Sequence, residues 1–355
     1  MDPNRRLLLL RVCVRISILA VLEPQRSGYI SARRLVAAQT AAAVARGCKR
    51  IEAEVTAVTA VAEEDGDRTA SSSNAASSSS GLYTVRLGGG STVQAARVLV
   101  AAGAFTNGPG ALLPSGYTVE MNNVTTQTVQ FALSEADAAR LRGMPSLICK
   151  FDDWWAYVLP PIRYPDGRCV LKLGGAKRPH TAAVTGAGTG GSAKGGHAPP
   201  YGANPLPTPA DLLAWYRSGG EAEATAQMSD LLHNLVPHLS PLEVRSDACA
   251  NATTPTGLPY IGRVGVGAAG AAGGESGGES GGGSGGASGG GSGGGLFVAT
   301  GGNGLAAKSS DEIGRLAACA ALASGGQSWD QDETDPLLVA QRFAPRLLRQ
   351  PARPG

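Results

Sequence analysis

One stretch limits the fold of this chain more than any other. From Leu296 to Ala318 it reads LFVATGGNGLAAKSSDEIGRLAA: an apolar run, the corner Gly301, Gly302, Asn303 and Gly304, and then a helical pattern. Glycine tolerates positive φ and lets backbone come close to a ligand, and the first turn of a helix leaves N–H groups for an anion or an electron-rich ring. Two readings are open here. The corner is shaped to approach a cofactor, or it is a strand-to-helix turn that needs glycine for steric reasons alone.

The 355 residues are 43% hydrophobic, enough for one large core or two ordinary ones. Glycine, at 51 residues, is about twice its usual share, and charged residues, at 17%, fall below the usual quarter, so part of the length is low-complexity filler. A net charge of +3, with no Lys/Arg stripe interleaved with aromatics, argues against nucleic acid as a partner. Cys13, Cys48, Cys149, Cys169, Cys249 and Cys319 are scattered without CxxC spacing and the four histidines form no HxxxH set, so reduced thiols are expected and a metal site is not. The opening MDPNRRLLLLRVCVRISILAVLEPQRSG is arginine-rich and nearly free of acids. Arg11 and Arg15 interrupt its apolar run well short of a bilayer-spanning length, so no transmembrane segment is expected. A transit peptide, a buried strand and an unrelated leader stay open for it, and with them cytoplasmic and organellar (mitochondrion or plastid) location. The sequons at Asn123 and Asn251 matter only in a secreted chain, and nothing signals secretion.

Along the chain, Ser31 to Gly47 reads as a helix with a serine N-cap and a glycine stop. IEAEVTAVTAV, from Ile51, alternates as a strand, and LYTVRLGGGSTVQAARVLVAAGAF reads as two more strands around a Gly-Gly-Gly turn. The Ser/Asn-rich segment 63–81 is expected to be a disordered insertion between them. NNVTTQTVQFALS is a strand and SEADAARLRG a short helix. WWAYVLPPIRYPDGRCVLKLGGA is a hairpin about Tyr-Pro-Asp-Gly, where Pro presets φ and Gly accepts the left-handed position. A Gly/Pro-rich connector, 179–209, leads to one or two helices in DLLAWYRSGGEAEATAQMSDLLHNLVPHL, then a strand and turn in EVRSDACANATTPTGLPYIGRVG. Residues 262–295 are mostly glycine and read as a flexible tether. GAGTGG at Gly186 and GVGAAG at Gly265 satisfy G-x-G-x-x-G, but neither opens a helix in a βαβ unit, and glycine-rich text yields such matches by chance.

Taken in order, GYISARRLVAAQTAAAVARG, AARVLVAAGAF, YVLPPIRYPDGRCVLKLGG, ACANATTPTGLPYIG and LFVATGGNGLAAKSSDEIGRLAA resemble the FAD-dependent oxidoreductases of the D-amino-acid oxidase and sarcosine oxidase superfamily. The resemblance implies an α+β or α/β chain in which a partial FAD-binding, Rossmann-like domain is interleaved with an antiparallel-sheet substrate domain. It implies a leader of unknown role at 1–21, FAD-binding parts at 22–116 and 246–324, a substrate domain at 117–245 and a tail at 325–355. The implied cofactor is FAD, and the implied partner is a small-molecule amine or amino-acid substrate.

Carried over by position, the backbone of Val55 would hydrogen-bond the adenine, and Gly103 in AAGAF would lie against the ribose and pyrophosphate. Gly301, Gly302, Asn303 and Gly304 would lie beside the flavin ring. Lys308 falls within one position of a lysine that sarcosine-oxidase-like members place near flavin or substrate carboxylate; an ordinary surface lysine is the other reading. Cys249 stands six residues before Pro255, the spacing at which covalent members carry the cysteine joined to flavin, and a buried unmodified thiol is the competing state. In TTPTGLPYIG, Thr256 replaces the family's aspartate between Pro255 and Gly257. Trp154, Trp155 and Tyr157 would face either pocket or core, with core expected for at least one. Members of the family open with strand, G-x-G-x-x-G, helix and an acid on the ribose, and nothing before EPQRSGYI reads that way. The expectation is an FAD-dependent amine or amino-acid oxidoreductase lacking that N-terminal unit, with a catalytically inactive fragment that no longer holds FAD as the alternative.

Overall fold

The computed structural model of the protein describes residues 6–12, 16–22, 28–62, 79–108, 110, 112–150, 154–177, 204–264, 294–322 and 343–349. The insertion expected at 63–81, the connector 179–209, the tether 262–295 and the tail 325–355 lie mostly outside these residues, as do the two rejected glycine motifs.

Strands β1 (Arg6–Val12) and β2 (Ile16–Leu22) pair antiparallel. Helix α1 (Ala32–Ala45) starts at Ser31, whose hydroxyl accepts from the Arg34 N–H, and ends ahead of Gly47 at φ 94°. Strands β3 (Val55–Ala62), β4 (Ser79–Leu87) and β5 (Thr92–Ala95) form an antiparallel sheet in that order, with Gly89 and Gly90 at positive φ in the second turn. Here the fold departs from the sequence reading. The text after the glycine turn is not one strand: it breaks at Ala96, and β6 (Arg97–Val100) leaves for another sheet, where Val98 and Val100 join the core.

Next come β7 (Tyr117–Val119), β8 (Asn122–Ala132), α2 (Glu135–Arg140), β9 (Leu147–Lys150), β10 (Trp154–Arg163) and β11 (Cys169–Lys177). In the β10–β11 turn Gly167 donates to the Tyr164 carbonyl at 3.0 Å with φ 86°, as the turn chemistry requires. Pro160 and Pro161 sit in β10 beyond Trp155–Val158, the stretch that pairs with β9, so their missing N–H groups cost no bond on that edge. The helical region is two helices, α3 (Pro209–Ser218) and α4 (Ala222–Leu235), separated at Gly219 and Gly220, both at positive φ. The chain closes with β12 (Glu243–Thr253), β13 (Tyr260–Arg263), β14 (Gly295–Thr300), α5 (Ser310–Leu322) and β15 (Leu347–Arg349). One sheet runs β12-β8-β11-β10-β9 and another β13-β14-β6, while β15 pairs with β7.

The described chain divides into two compact units. The first comprises Met1–Arg50, Val129–Gly175 and Ala226–Arg245. Its core sets Val129, Phe131, Val158, Leu171 and Leu173 of the sheet against Met228, Leu232 and Val236 of the α4 segment. On β10, Ala156 and Val158 are wholly buried, so alternation turns Trp155 and Tyr157 to the other face, their rings edge to face at 6.0 Å. These two are therefore not core residues; the side chain of Trp154 lies outside the described set.

The second unit comprises Ile51–Thr128, Ala176–Thr225 and Ser246–Gly355. Its core gathers Val58, Val100, Leu113, Val119, Tyr260, Leu296 and Val298. Helix α5 returns along its own sheet, placing Leu316 and Ala317 on Ile261, and Ala320 and Ala321 on Phe297. Helices, antiparallel strand pairs and the parallel pair β6 and β14 make this the mixed α+β architecture expected.

Candidate functional site

Strands β6 and β14 are parallel, in register from Gly295↔Arg97 to Val298↔Val100. Parallel strands present their carboxyl ends on one side, and here each end runs into a small-residue corner: Ala101, Ala102 and Gly103 after β6, and Gly301 to Gly304 after β14. In open parallel sheets ligands bind at such ends. The two segments expected to touch cofactor, about 200 residues apart in sequence, thus leave one sheet side by side.

The corner after β14 is held by Asn303. At φ 52° it takes a conformation that asparagine tolerates better than most residues. Its N–H donates to the Ala252 carbonyl at 2.9 Å, its Oδ1 accepts from the Thr254 N–H at 2.9 Å, and its Nδ2 donates to the Gly301 carbonyl. Both ends of the amide thus hold the corner from within the protein. The N–H groups of Gly302 and Gly304 donate to no described residue.

The glycines have internal reasons to be glycine. Gly301 has φ 73° and a Cβ there would overlap Thr254 Cγ2; a Cβ on Gly302 would come within 2.8 Å of Ala306 Cβ; Gly304 has φ 69° and its Cβ would sit 3.0 Å from Asn251 Nδ2. Gly103 differs. At φ 55° it too favours glycine, but no described residue lies within 4 Å of where its Cβ would be. Among the described residues the backbone there is open to approach, and a dinucleotide laid across these strand ends would need such a surface.

The turn before β13 keeps its shape without the family's acid. Gly257 donates to the Thr254 carbonyl at 3.1 Å, and Thr256 Oγ1 accepts from the Leu258 N–H at 3.3 Å, the local bond an aspartate would make. Cys249 is exposed, not buried, because alternation on β12 turns Ala248 inward. It shares a strand face with Asn251, whose amide abuts Gly304. The Cys249 carbonyl accepts from Trp215 Nε1 at 2.6 Å, and neighbouring Tyr216 stacks on Phe105 with ring centroids 6.2 Å apart. Burial raises the pKa of the Tyr216 hydroxyl, and the adjacent Cys249 side chain adds to the rise.

Val55 opens β3 opposite Leu87, with a register shift directly after it. Its carbonyl is 3.3 Å from where a Cβ on Gly110 would stand, which places it beside the loop that follows Gly103. Lys308, on the 3-10 turn Ala306–Ser309, is exposed and forms no ion pair with a described residue. The buried Thr106, Thr254 and Thr300 are absent from the sequence reading, because threonine in a strand or turn is ordinary by type and only burial marks these three. Among the described residues no helix is long and apolar enough to cross a membrane, and no group of three or more His, Cys, Asp or Glu could hold a metal.

Among solved structures, the chain is similar to fructosyl amine:oxygen oxidoreductase (Amadoriase I) from Aspergillus fumigatus, at 19% identity over 81% of this chain and 50% of that one, with a TM-score of 0.41. It is similar to iminodiacetate oxidase from Chelativorans sp. BNC1, at 14% identity over 88% of this chain and 58% of that one, with a TM-score of 0.46. Fructosyl peptide oxidase from E. terrenum follows at 15% identity, covering 74% and 50%, with a TM-score of 0.41. The chain spans about half the length of the solved structures it matches. No curated protein matches it. Residues 14–320 match the family described as DAO, FAD dependent oxidoreductase, and the chain belongs to that family.

Proposed function

We propose that this chain serves in the FAD-dependent oxidation of a small amine or amino acid. The observation that carries the reading is the parallel pair β6 and β14 delivering two glycine corners to one end of a sheet. Bound flavin supplies the acceptor for a hydride from the carbon beside nitrogen, with dioxygen or another acceptor taking the electrons onward. The chain's own contribution is orientation and electrostatics. The N–H groups of Gly302 and Gly304, which donate to no described residue, face the ring's pyrimidine side in this reading, where partial positive charge steadies developing negative charge. Gly103 takes the ribose and pyrophosphate and the Val55 backbone the adenine. Lys308 is the charged group near ring or substrate carboxylate, and Cys249, exposed on the strand face that meets the corner, is the residue in reach of covalent attachment. The Trp155 and Tyr157 face of β10, turned away from its core, supports a substrate-facing role for that strand.

A second reading has its own support: the glycines at 301, 302 and 304 are required by internal neighbours, so a chain that holds no FAD would keep them too. Titrating FAD against the purified chain by flavin fluorescence separates the two readings. Saturable uptake followed by anaerobic bleaching with one of a panel of amines and amino acids supports the oxidase; no uptake refutes it. With flavin bound, Lys308→Met is expected to slow reduction or reoxidation on the order of a hundredfold with the cofactor retained. Unchanged rates remove that lysine from the site.

A further inference from the structure

We propose that Thr106 and Thr300 are positioning residues that lock the two glycine corners into one unit, an inference that rests on the flavin reading for its catalytic meaning. Thr300 is the last residue of β14, directly before Gly301, and Thr106 closes the turn Gly103–Phe105. Their Oγ1 atoms are 2.9 Å apart. Both reach the Gly103 carbonyl, at 2.8 Å from Thr106 and 3.1 Å from Thr300, and that carbonyl also accepts the Thr106 N–H at 3.1 Å. The side chains are buried, with Thr106 1% and Thr300 6% exposed.

The position of this cluster explains its use. The parallel register between β6 and β14 ends at Val100↔Val298, two residues short of Thr300 and three short of Gly103. Past that point no ladder bond ties the strands, and the hydroxyl pair takes over the tie where the corners begin. Because a peptide group is planar, holding the Gly103 carbonyl inward also fixes the Ala104 N–H, which points the opposite way. Two hydroxyl protons serve three close oxygen contacts, and Thr300 Oγ1 also lies 3.4 Å from the Met121 sulfur; deleting the Thr106 hydroxyl removes two of the three and leaves the tie to Thr300 on the Gly103 carbonyl alone, while deleting that of Thr300 removes both contacts that cross between the corners. A change in one corner is therefore felt in the other.

The test compares Thr106→Val, Thr300→Val and the double variant with Thr106→Ser and Thr300→Ser, which keep the hydroxyls. Amide hydrogen exchange is read by peptide over 103–106 and 301–304 in the chain without cofactor, and FAD affinity is read by titration. Thr106→Val is expected to speed exchange about fivefold at the Asn303 amide, whose N–H is bonded to the Ala252 carbonyl in the corner that does not contain Thr106, while both serine variants stay at parent rates. FAD affinity is expected to fall about tenfold in each valine variant and little further in the double. Faster exchange confined to 103–106, fast exchange in the serine variants, or fully additive losses in the double variant would overturn the proposal. If the parent takes up no FAD the flavin reading fails, and the exchange data still decide whether the corners are coupled.

Discussion

Gly301→Ala offers the sharpest separation of what the corner does for the fold from what it does for a ligand. Two costs add in the folded state. Alanine at φ 73° costs about 1–2 kcal/mol through the left-handed conformation. The new Cβ also overlaps Thr254 Cγ2, and forcing an extra carbon into a packed site typically costs about 1–3 kcal/mol. The variant is thus expected to lose about 2–5 kcal/mol in urea-denaturation midpoint analysis. The overlap is with one methyl group, which suggests the control. Thr254→Ser removes Cγ2 and keeps the Oγ1 that donates to the Leu258 carbonyl at 2.7 Å, after which the side-chain atom next to the new Cβ is the Cβ of residue 254, at an ordinary contact distance of 3.8 Å. In the Thr254→Ser background, Gly301→Ala should cost only the conformational part, about 1–2 kcal/mol. The same cost in both backgrounds would refute the overlap argument. Gly103→Ala completes the set, since no described residue lies within 4 Å of its Cβ: it should show the conformational cost alone, and any loss of FAD binding there reports on ligand approach rather than packing.

Three further outcomes are expected. Burial pushes the Tyr260 hydroxyl up to about 12, with Glu120 adding to the rise, and that hydroxyl has no partner among the described residues; Tyr260→Phe should therefore be neutral or stabilise the chain by about 1 kcal/mol in thermal unfolding. The hydrogen-bonded Arg140 guanidinium holds Asp137 below its ordinary value of 3.8, so its contribution is complete above that pH and lost as pH falls through the lower folded value; Asp137→Asn should flatten the acid limb of the stability curve from about pH 5 downward. Burial raises the pKa of the Cys149 thiol, whereas Cys48 and Cys249 are exposed, so timed alkylation with mass-spectrometric readout should label the latter two first; early labelling of Cys149 would contradict its burial.

What the sequence by itself determined lies within a few residues of its cause. Ser31 caps α1 because its hydroxyl reaches an N–H three residues on, and Tyr164 to Gly167 turns because Pro and Gly supply the needed φ values. The strand, glycine corner and helix from Leu296 onward were legible for the same reason, since each signal is local. The order of such pieces was enough to place the chain in its family. Only the tertiary structure decided the rest. No local signal says that AARVLV breaks from its hairpin to run parallel to a strand about 200 residues later, because Val98 and Val100 find their apolar partners only in the folded core. Nor could type and spacing tell that Asn303 spends its backbone N–H on Ala252 and its side-chain amide on Thr254 and Gly301, that Trp155 and Tyr157 turn away from the core while Ala156 and Val158 fill it, or that Thr106 meets Thr300 across 194 residues. These are contacts between distant segments, and their partners are chosen by burial and by the need to satisfy each buried polar group, quantities that do not exist until the chain has folded.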